Sequence, residues 1–166
     1  MKSLIKISSL IFCVFTLSGC FGSIDEATQN ALEACGIVKY VPPEGDSVVD
    51  ENTPKKGDYV FNSKESGGFW SVTDDIKSHE TRSETWKKRA VSASSAAKLD
   101  SKYLVLSTAT TNLSNISTQV VSVRKLMLAA NSTNFSRIDW SFIDPYNLEL
   151  NTWRIECTGI AESLNK

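Results

Sequence analysis

The amino-acid sequence predicts a mainly α-helical small domain with one long irregular loop. Apolar residues recur at the spacing of a helix face in three stretches, 24–35, 69–130 and 153–164. Residues 37–68 are instead rich in proline, glycine and polar residues, a composition typical of turns and loops. The alternative is an α+β fold with an antiparallel sheet from residues 103–157, because β-branched residues are common there.

The first predicted helix spans about residues 24–35. Ser23 and Glu26 have the spacing of a capping box, in which each side chain binds the backbone N–H of the other residue. Gly36 lies at the position where a glycine commonly ends a helix. The long loop, about residues 37–68, follows directly.

A second helix is predicted to end at about Leu99. Its start is marked by Phe69 and by a capping-box pattern at Ser71-Val72-Thr73-Asp74. One face carries apolar and small residues, including Trp86, whereas the other carries charges of both signs and is expected to be solvated. Asp100 can end this helix and cap the next one.

The next stretch continues as a heptad-like seam, which indicates one long helix or two helices at 101–113 and 118–130. The seam consists of Leu99, Tyr103, Leu106, Thr110, Leu113, Ser117, Val120, Val123 and Met127, thickened by Leu126, Leu128, Ala129 and Ala130. A hairpin that turns at Ser114-Asn115 would use the same residues, because many of them favour strands. The helical interpretation is preferred since it continues the preceding alanine-rich helix.

The C-terminal region is predicted to contain one extended segment and one helix. Ile138, Trp140 and Phe142 alternate with polar residues, as in a short strand. Beyond the turn at Asp144-Pro145, one helix face is formed by Trp153, Cys157, Ile160, Ala161 and Leu164.

The first nineteen residues have the parts of an export signal. Lys2 and Lys6 precede an apolar run that ends at about Leu17, which is too short to span a bilayer, since that takes roughly 20 apolar residues. Leu17-Ser18-Gly19-Cys20 resembles the lipobox of bacterial lipoproteins. The resemblance implies removal of residues 1–19 and a lipid on Cys20.

The same resemblance implies a location. In lipoproteins of enteric type, Asp after the lipidated Cys is associated with retention at the inner membrane, whereas this sequence has Phe21. The expectation is therefore a lipid-anchored protein of the cell envelope, on the periplasmic face of the outer membrane if the host is Gram-negative. The mature chain, 20–166, has the length of one domain.

Charge and cysteine content limit the partners of the mature chain. It carries 16 Lys and Arg against 19 Asp and Glu, so binding to nucleic acid is not expected. Cys13 leaves with the leader and Cys20 carries lipid, which leaves Cys35 and Cys157 to form a disulfide in an oxidising compartment. Two free buried thiols are the alternative. Two cysteines and one histidine are too few for a zinc site, and no metal or cofactor is expected.

No motif for a catalytic or nucleotide-binding site is present, and the single histidine, His79, is expected at the surface. Trp86 and Trp153 are expected in the core. Around the long loop, a possible ligand surface is formed by Tyr59, Phe61, Phe69 and Trp70, but the preferred interpretation is a surface loop that Tyr59 and Phe61 pin to the domain.

The sequence thus favours a membrane-anchored envelope lipoprotein with a non-catalytic role, structural or in protein interaction. A lipoprotein that binds a small molecule or a glycan is the alternative. An enzyme is the least favoured class, because no residue pattern in the sequence is typical of a catalytic site. The membrane, reached through the lipid on Cys20, and an envelope protein are the expected partners.

Overall fold

The computed structural model describes residues 24–43, 53–61 and 75–166, and these residues form a mainly helical domain. The helices are α1 (Glu26–Cys35), α2 (Ile76–Leu99), α3 (Leu104–Ala129) and α4 (Pro145–Leu164). The strands are β1 (Ile37–Lys39) and β2 (Tyr59–Phe61), which pair antiparallel. The predicted fold class is confirmed, and the alternative sheet over residues 103–157 is wrong because these residues are helices and helical turns.

Helix α1 forms where the sequence predicts it, but with a different N-cap. Asp25 is the capping residue, and its carboxylate accepts a hydrogen bond from the backbone N–H of Thr28 at 2.8 Å. Ser23, the predicted cap, lies outside the described residues. Gly36 ends the helix in the left-handed region with φ of 65°, as predicted, since glycine has no Cβ to oppose that conformation.

Helices α2 and α3 meet at a short connection that Asp100 organises. Its backbone N–H binds the Ala96 carbonyl, and its side chain accepts from the Lys102 N–H of the 3₁₀ turn Ser101–Tyr103. Asp75 caps the start of α2 by accepting from Ser78 N. The predicted start at 69–74 lies outside the described residues.

Helix α3 is a single helix, so the hairpin at Ser114-Asn115 is wrong. Its threonines are compatible with a helix because their hydroxyls donate to carbonyls one turn back, as Thr108 does to Leu104 and Thr118 to Ser114. Most of the predicted seam is buried, namely Tyr103, Leu106, Thr110, Leu113, Ser117, Val120 and Met127. The exceptions are the exposed Leu99, Leu126, Leu128, Ala129 and Ala130, and the half-buried Val123.

No strand forms at Ile138–Phe142, although the backbone of Ile138 itself is extended. The chain instead makes two 3₁₀ turns, Phe135–Arg137 and Ser141–Ile143. The side chains of Asn134 and Asp139 accept from backbone N–H groups two residues on, and this local bonding replaces strand pairing. Trp140 closes the segment by donating its indole N–H to the Phe135 carbonyl at 2.9 Å.

The four helices enclose one core. Helix α1 packs against α2 and α4, and α3 packs against the same two helices from the other side. The largest fully buried side chains include Trp86, Trp153, Leu106 and Leu113. The predicted face of α4 is confirmed at Trp153, Cys157 and Ala161, whereas Ile160 and Leu164 are half-buried beside the core.

The two strands bring both ends of the long loop together. Ile37 pairs with Phe61 and Lys39 pairs with Tyr59, so two short segments of the predicted irregular loop are strands. Asn165 holds β2 to the end of α4, since its amide accepts from Tyr59 N at 2.7 Å and donates to Tyr59 O at 3.1 Å. Residues 44–52 and 62–74 lie outside the described part.

A disulfide joins Cys35, at the end of α1, to Cys157 in α4, as predicted. The two Cα atoms are 5.5 Å apart, and both residues are buried. The bond closes a loop of 122 residues, which makes it the longest-range covalent constraint among the described residues.

We predict that the double substitution Cys35→Ala and Cys157→Ala lowers the free energy of unfolding by about 2–5 kcal/mol, because the unfolded chain regains the freedom that the cross-link removed. Urea unfolding monitored by circular dichroism measures the change. A reductant should destabilise the wild-type protein and leave the double variant unaffected. Equal stability of the two proteins without reductant would contradict a stabilising bond.

Candidate functional site

The centre of the domain holds an arginine between two tryptophan rings. The Arg89 guanidinium carbon lies 4.9 Å from the centroid of the Trp86 ring and 4.8 Å from that of Trp153. The two rings meet edge to face at 5.3 Å. Arg89 is only 3% exposed, so its contact with the negative faces of the rings is shielded from water. Together with Tyr146, these residues are called the Trp–Arg cluster.

Hydrogen bonds fix the rings of the Trp–Arg cluster in place. The indole N–H of Trp153 donates to the Ala34 carbonyl at 3.1 Å, and that of Trp86 donates to the Tyr146 hydroxyl at 3.3 Å. Phe61 of β2 meets Trp153 edge to face at 6.1 Å. The cluster therefore ties α1, α2, α4 and β2 together, and its members fill the interior of the domain.

Burial changes the ionisation of Tyr146. Removal from water raises the pKa of its phenol above the ordinary value of 10.0, and the hydrogen bond from Trp86 and the charges of Arg82 and Arg89 oppose this shift. The neutral phenol is accordingly the form that the folded protein favours.

The predicted ligand surface is only partly within the described residues. Tyr59 and Phe61 lie on the same side of β2, as alternate strand residues do, and both are half-buried against the core. Phe61 contacts Trp153, and the Lys39 ammonium lies 5.4 Å from the Tyr59 ring centroid. Phe69 and Trp70 lie outside the described residues. The two described rings thus serve the packing of the domain itself.

His79 is buried, and the expectation of a surface histidine is wrong. It is 1% exposed on the face of α2 that also carries Ser83, Trp86 and Ala93. The steps 79–83–86 are helical and extend the Trp86 face toward the N-terminus, a signal that the neighbouring charged residues obscured. Arg89 was missed for the same reason, since a charged residue is ordinarily placed outside.

An open groove of about 580 Å³ lies at the end of the bundle where α1 starts. It is lined by Thr28 of α1, by Lys102 and Tyr103 before α3, and by Ile155 and Gly159 of α4. The hydroxyls of Thr28 and Tyr103, two of the residues that line the groove, are hydrogen-bonded to each other at 2.8 Å. This contact joins the start of α1 to the connection between α2 and α3.

The charged groups beside this groove are paired with near neighbours. Hydrogen bonds from Thr28 lower the pKa of the Asp25 carboxyl. The hydrogen bond to the Asp100 carboxylate raises the pKa of Lys102, and the Lys102 backbone N–H in turn lowers the pKa of Asp100. Asp25 and Lys102 are exposed to solvent and Asp100 is partly exposed, so these pairs contribute little to stability.

Two further properties concern the described ranges alone. Within residues 24–43, 53–61 and 75–166, no group of three or more His, Cys, Asp and Glu side chains is arranged to hold a metal ion. None of the helices there is long and apolar enough to cross a membrane. Cys20, the predicted lipidation site, precedes the first described residue, Ile24, by four positions.

Comparison with protein-family models, with curated proteins and with solved structures gives no significant match. The features that point to a function are therefore those of the chain itself: the predicted lipobox that ends at Cys20, the buried disulfide, and the side chains exposed on the helices.

We predict that Tyr146→Phe makes the stability of the protein less sensitive to alkaline pH. The stabilisation from the buried neutral phenol is fully present below about pH 10 and is lost as the pH rises through the higher pKa of the folded state. Over that window the wild-type protein should lose up to about 1.4 kcal/mol more per pH unit than the variant. Urea unfolding at a series of alkaline pH values measures the slope.

Tyr40→Phe is the control, because Tyr40 is only half-buried and is not a member of the Trp–Arg cluster, whereas Tyr146 is buried. It should keep the alkaline slope of the wild-type protein. An unchanged slope in Tyr146→Phe would show that burial of this phenol does not govern the alkaline loss of stability.

Proposed function

We propose that this protein is a lipid-anchored component of a bacterial cell envelope with a non-catalytic role, structural or in protein interaction. The observation that carries the proposal is the sequence Leu17-Ser18-Gly19-Cys20 at the end of a short apolar run. The lipid would be attached to Cys20, and residues 1–19 would be removed. Phe21 favours the outer membrane in a Gram-negative host.

The buried disulfide supports export from the cytoplasm. Disulfides persist in oxidising compartments such as the periplasm and are rare where cellular thiols keep cysteines reduced. Cys35 and Cys157 are bonded at the centre of the domain, beside the Trp–Arg cluster. The pairing is the one expected if Cys13 leaves with the leader and Cys20 carries lipid.

The short distance along the chain from Cys20 to the domain supports a role close to the membrane. Three residues separate Cys20 from Ile24, and a fully extended chain over these four steps spans at most about 14 Å. Two or three acyl chains on one cysteine give stable anchoring, whereas a single chain gives marginal binding. The domain would consequently work within a short distance of the bilayer.

The distribution of apolar side chains supports an interaction role. The polar residues of the interior, such as His79 and Arg89, are enclosed by the helices, whereas several large aliphatic side chains are exposed on the outside. Examples are Val91 on α2, Leu126 on α3 and Leu148 on α4. A protein that binds one of these helices would cover such a side chain and remove it from water.

Binding of a small molecule or a glycan stays the alternative prediction. Of its four aromatic residues, Tyr59 and Phe61 contact the domain's own core, and Phe69 and Trp70 lie outside the described part. No observation on the described residues favours this role over protein interaction.

We predict that Cys20→Ser abolishes incorporation of labelled palmitate into the protein in cells, because the thiol that accepts the lipid is absent. Cys13→Ser is the matched control: it removes a cysteine of the same apolar leader and should leave the labelling intact. Immunoprecipitation followed by autoradiography measures the label. Persistent labelling of Cys20→Ser would contradict the proposed anchor.

A further inference from the structure

The connection between α2 and α3 exposes three large aliphatic side chains. Leu99 is 56% exposed, Leu104 is 56% exposed and Val105 is 50% exposed. They lie within seven consecutive residues around the 3₁₀ turn, and this segment, Leu99–Val105, is called the α2–α3 turn. Leu99 was predicted to belong to the buried seam, so its exposure is a property of this end of the bundle that periodicity alone does not predict.

The open groove described above lies beside the α2–α3 turn and reaches α4. Lys102 and Tyr103 line the open groove together with Ile155, which is 62% exposed. Gly159 lies in the same groove, and no atom comes within 4 Å of the position that a Cβ would occupy there. This end of the bundle thus presents apolar side chains from two helices to solvent.

Hydrogen bonds join the α2–α3 turn to the start of α1, and hence to the chain that leads to Cys20. The Asp25 carboxylate accepts from the Thr28 hydroxyl at 3.0 Å, and the Thr28 and Tyr103 hydroxyls are 2.8 Å apart. Ile24 precedes Asp25 directly, so the α2–α3 turn lies beside the point where the domain meets its tether.

The length of the tether limits which part of the bundle is held at the membrane. The four steps along the chain from Cys20 to Ile24 reach at most about 14 Å. Helix α2 has 24 residues and is about 36 Å long, so its start at Ile76 lies far from the α2–α3 turn. A lipid on Cys20 would therefore keep the α2–α3 turn close to the bilayer, whereas the opposite end of the bundle can lie well away from it.

The charges around the α2–α3 turn are of both signs. Lys98 and Lys102 are exposed, but Lys102 pairs with the Asp100 carboxylate at 2.9 Å, and Asp25 and Glu26 lie at the same end. The apolar side chains, rather than a net positive charge, are consequently the feature that a lipid surface would bind. Contact is expected with vesicles of uncharged lipid.

We infer that the α2–α3 turn is a second membrane contact, in which Leu99, Leu104 and Val105 enter the headgroup region of the bilayer that holds the Cys20 lipid. The inference rests on the proposed lipid anchor. Apolar side chains of interfacial segments are buried about 5–10 Å into this boundary, where they leave water. The contact would hold the bundle in one orientation, with the start of α2 and the end of α3 directed away from the membrane.

The test places one fluorescent probe on each end of the bundle in the lipidated full-length product. The mature chain has no free thiol when Cys20 carries lipid and Cys35 is bonded to Cys157, so an introduced cysteine is labelled alone. Ser101→Cys puts an environment-sensitive probe in the α2–α3 turn, and Ser122→Cys puts it on an exposed site near the other end of α3. Each protein is reconstituted into phosphatidylcholine vesicles that contain a headgroup-level quencher.

The inference predicts a blue shift and strong quenching of the probe at Ser101→Cys, with weak quenching at Ser122→Cys. Adding Leu99→Ser, Leu104→Ser and Val105→Ser should reduce the quenching at residue 101 to the level at residue 122, while the protein still floats with the vesicles. These three side chains are exposed, so the circular dichroism spectrum should not change.

Equal quenching at the two sites would overturn the inference, as would quenching that persists in the triple serine variant. A blue shift without lipid quenching would mean that protein, such as a second copy, covers the turn, and it would overturn the inference too. Failure of the wild-type protein to float with vesicles would overturn the lipid anchor itself. Flotation with equal quenching would remove only the second contact.

Discussion

The attachment of α1 to α4 is the constraint on which the rest of the domain depends. Helix α1 has only ten residues, and an isolated helix of that length is marginal in water. Its last turn is held by the Cys35–Cys157 bond and by the hydrogen bond from Trp153 to the Ala34 carbonyl. Its first turn is held by the hydrogen bond between the Thr28 and Tyr103 hydroxyls. With both ends fixed in this way, α1 packs against α2 and α4. Strand β1 follows α1 directly along the chain.

The interior formed by the described residues is filled by the protein's own side chains. Arg89 lies between two indole rings, and the neutral Tyr146 accepts from one of them, so the central polar groups interact with the protein's own side chains. The surface instead combines exposed aliphatic side chains with charged residues of both signs. A short tether to lipid on Cys20 would place part of that surface against the membrane and leave the rest for a partner.

Residue types and their spacing along the chain predicted much of this fold. The features that they did not predict depend on contacts between residues that are distant in the sequence. Gly36, the face of α4 and the pairing of Cys35 with Cys157 follow from residue types and spacing. The 3₁₀ turns near Trp140 do not, because whether an alternating segment becomes a strand depends on a partner strand. His79 and Arg89 are buried only because α2 turns their face inward, so a charged neighbourhood in the sequence was misleading. Phe61, a member of the predicted ligand surface, packs instead on Trp153. Spacing along the chain does not predict this contact, because the two residues are 92 positions apart.

We propose that the protein acts through its outer surface while a lipid on Cys20 anchors it to the membrane. In-cell crosslinking followed by isolation of the protein from membranes tests it most directly, with the Cys20→Ser form as the comparison. We expect a discrete crosslinked protein partner in the wild-type form and its loss in Cys20→Ser. No partner in either form, or the same partner in both, would contradict this proposal. Ligand binding around Tyr59 and Phe61 would then be the favoured function.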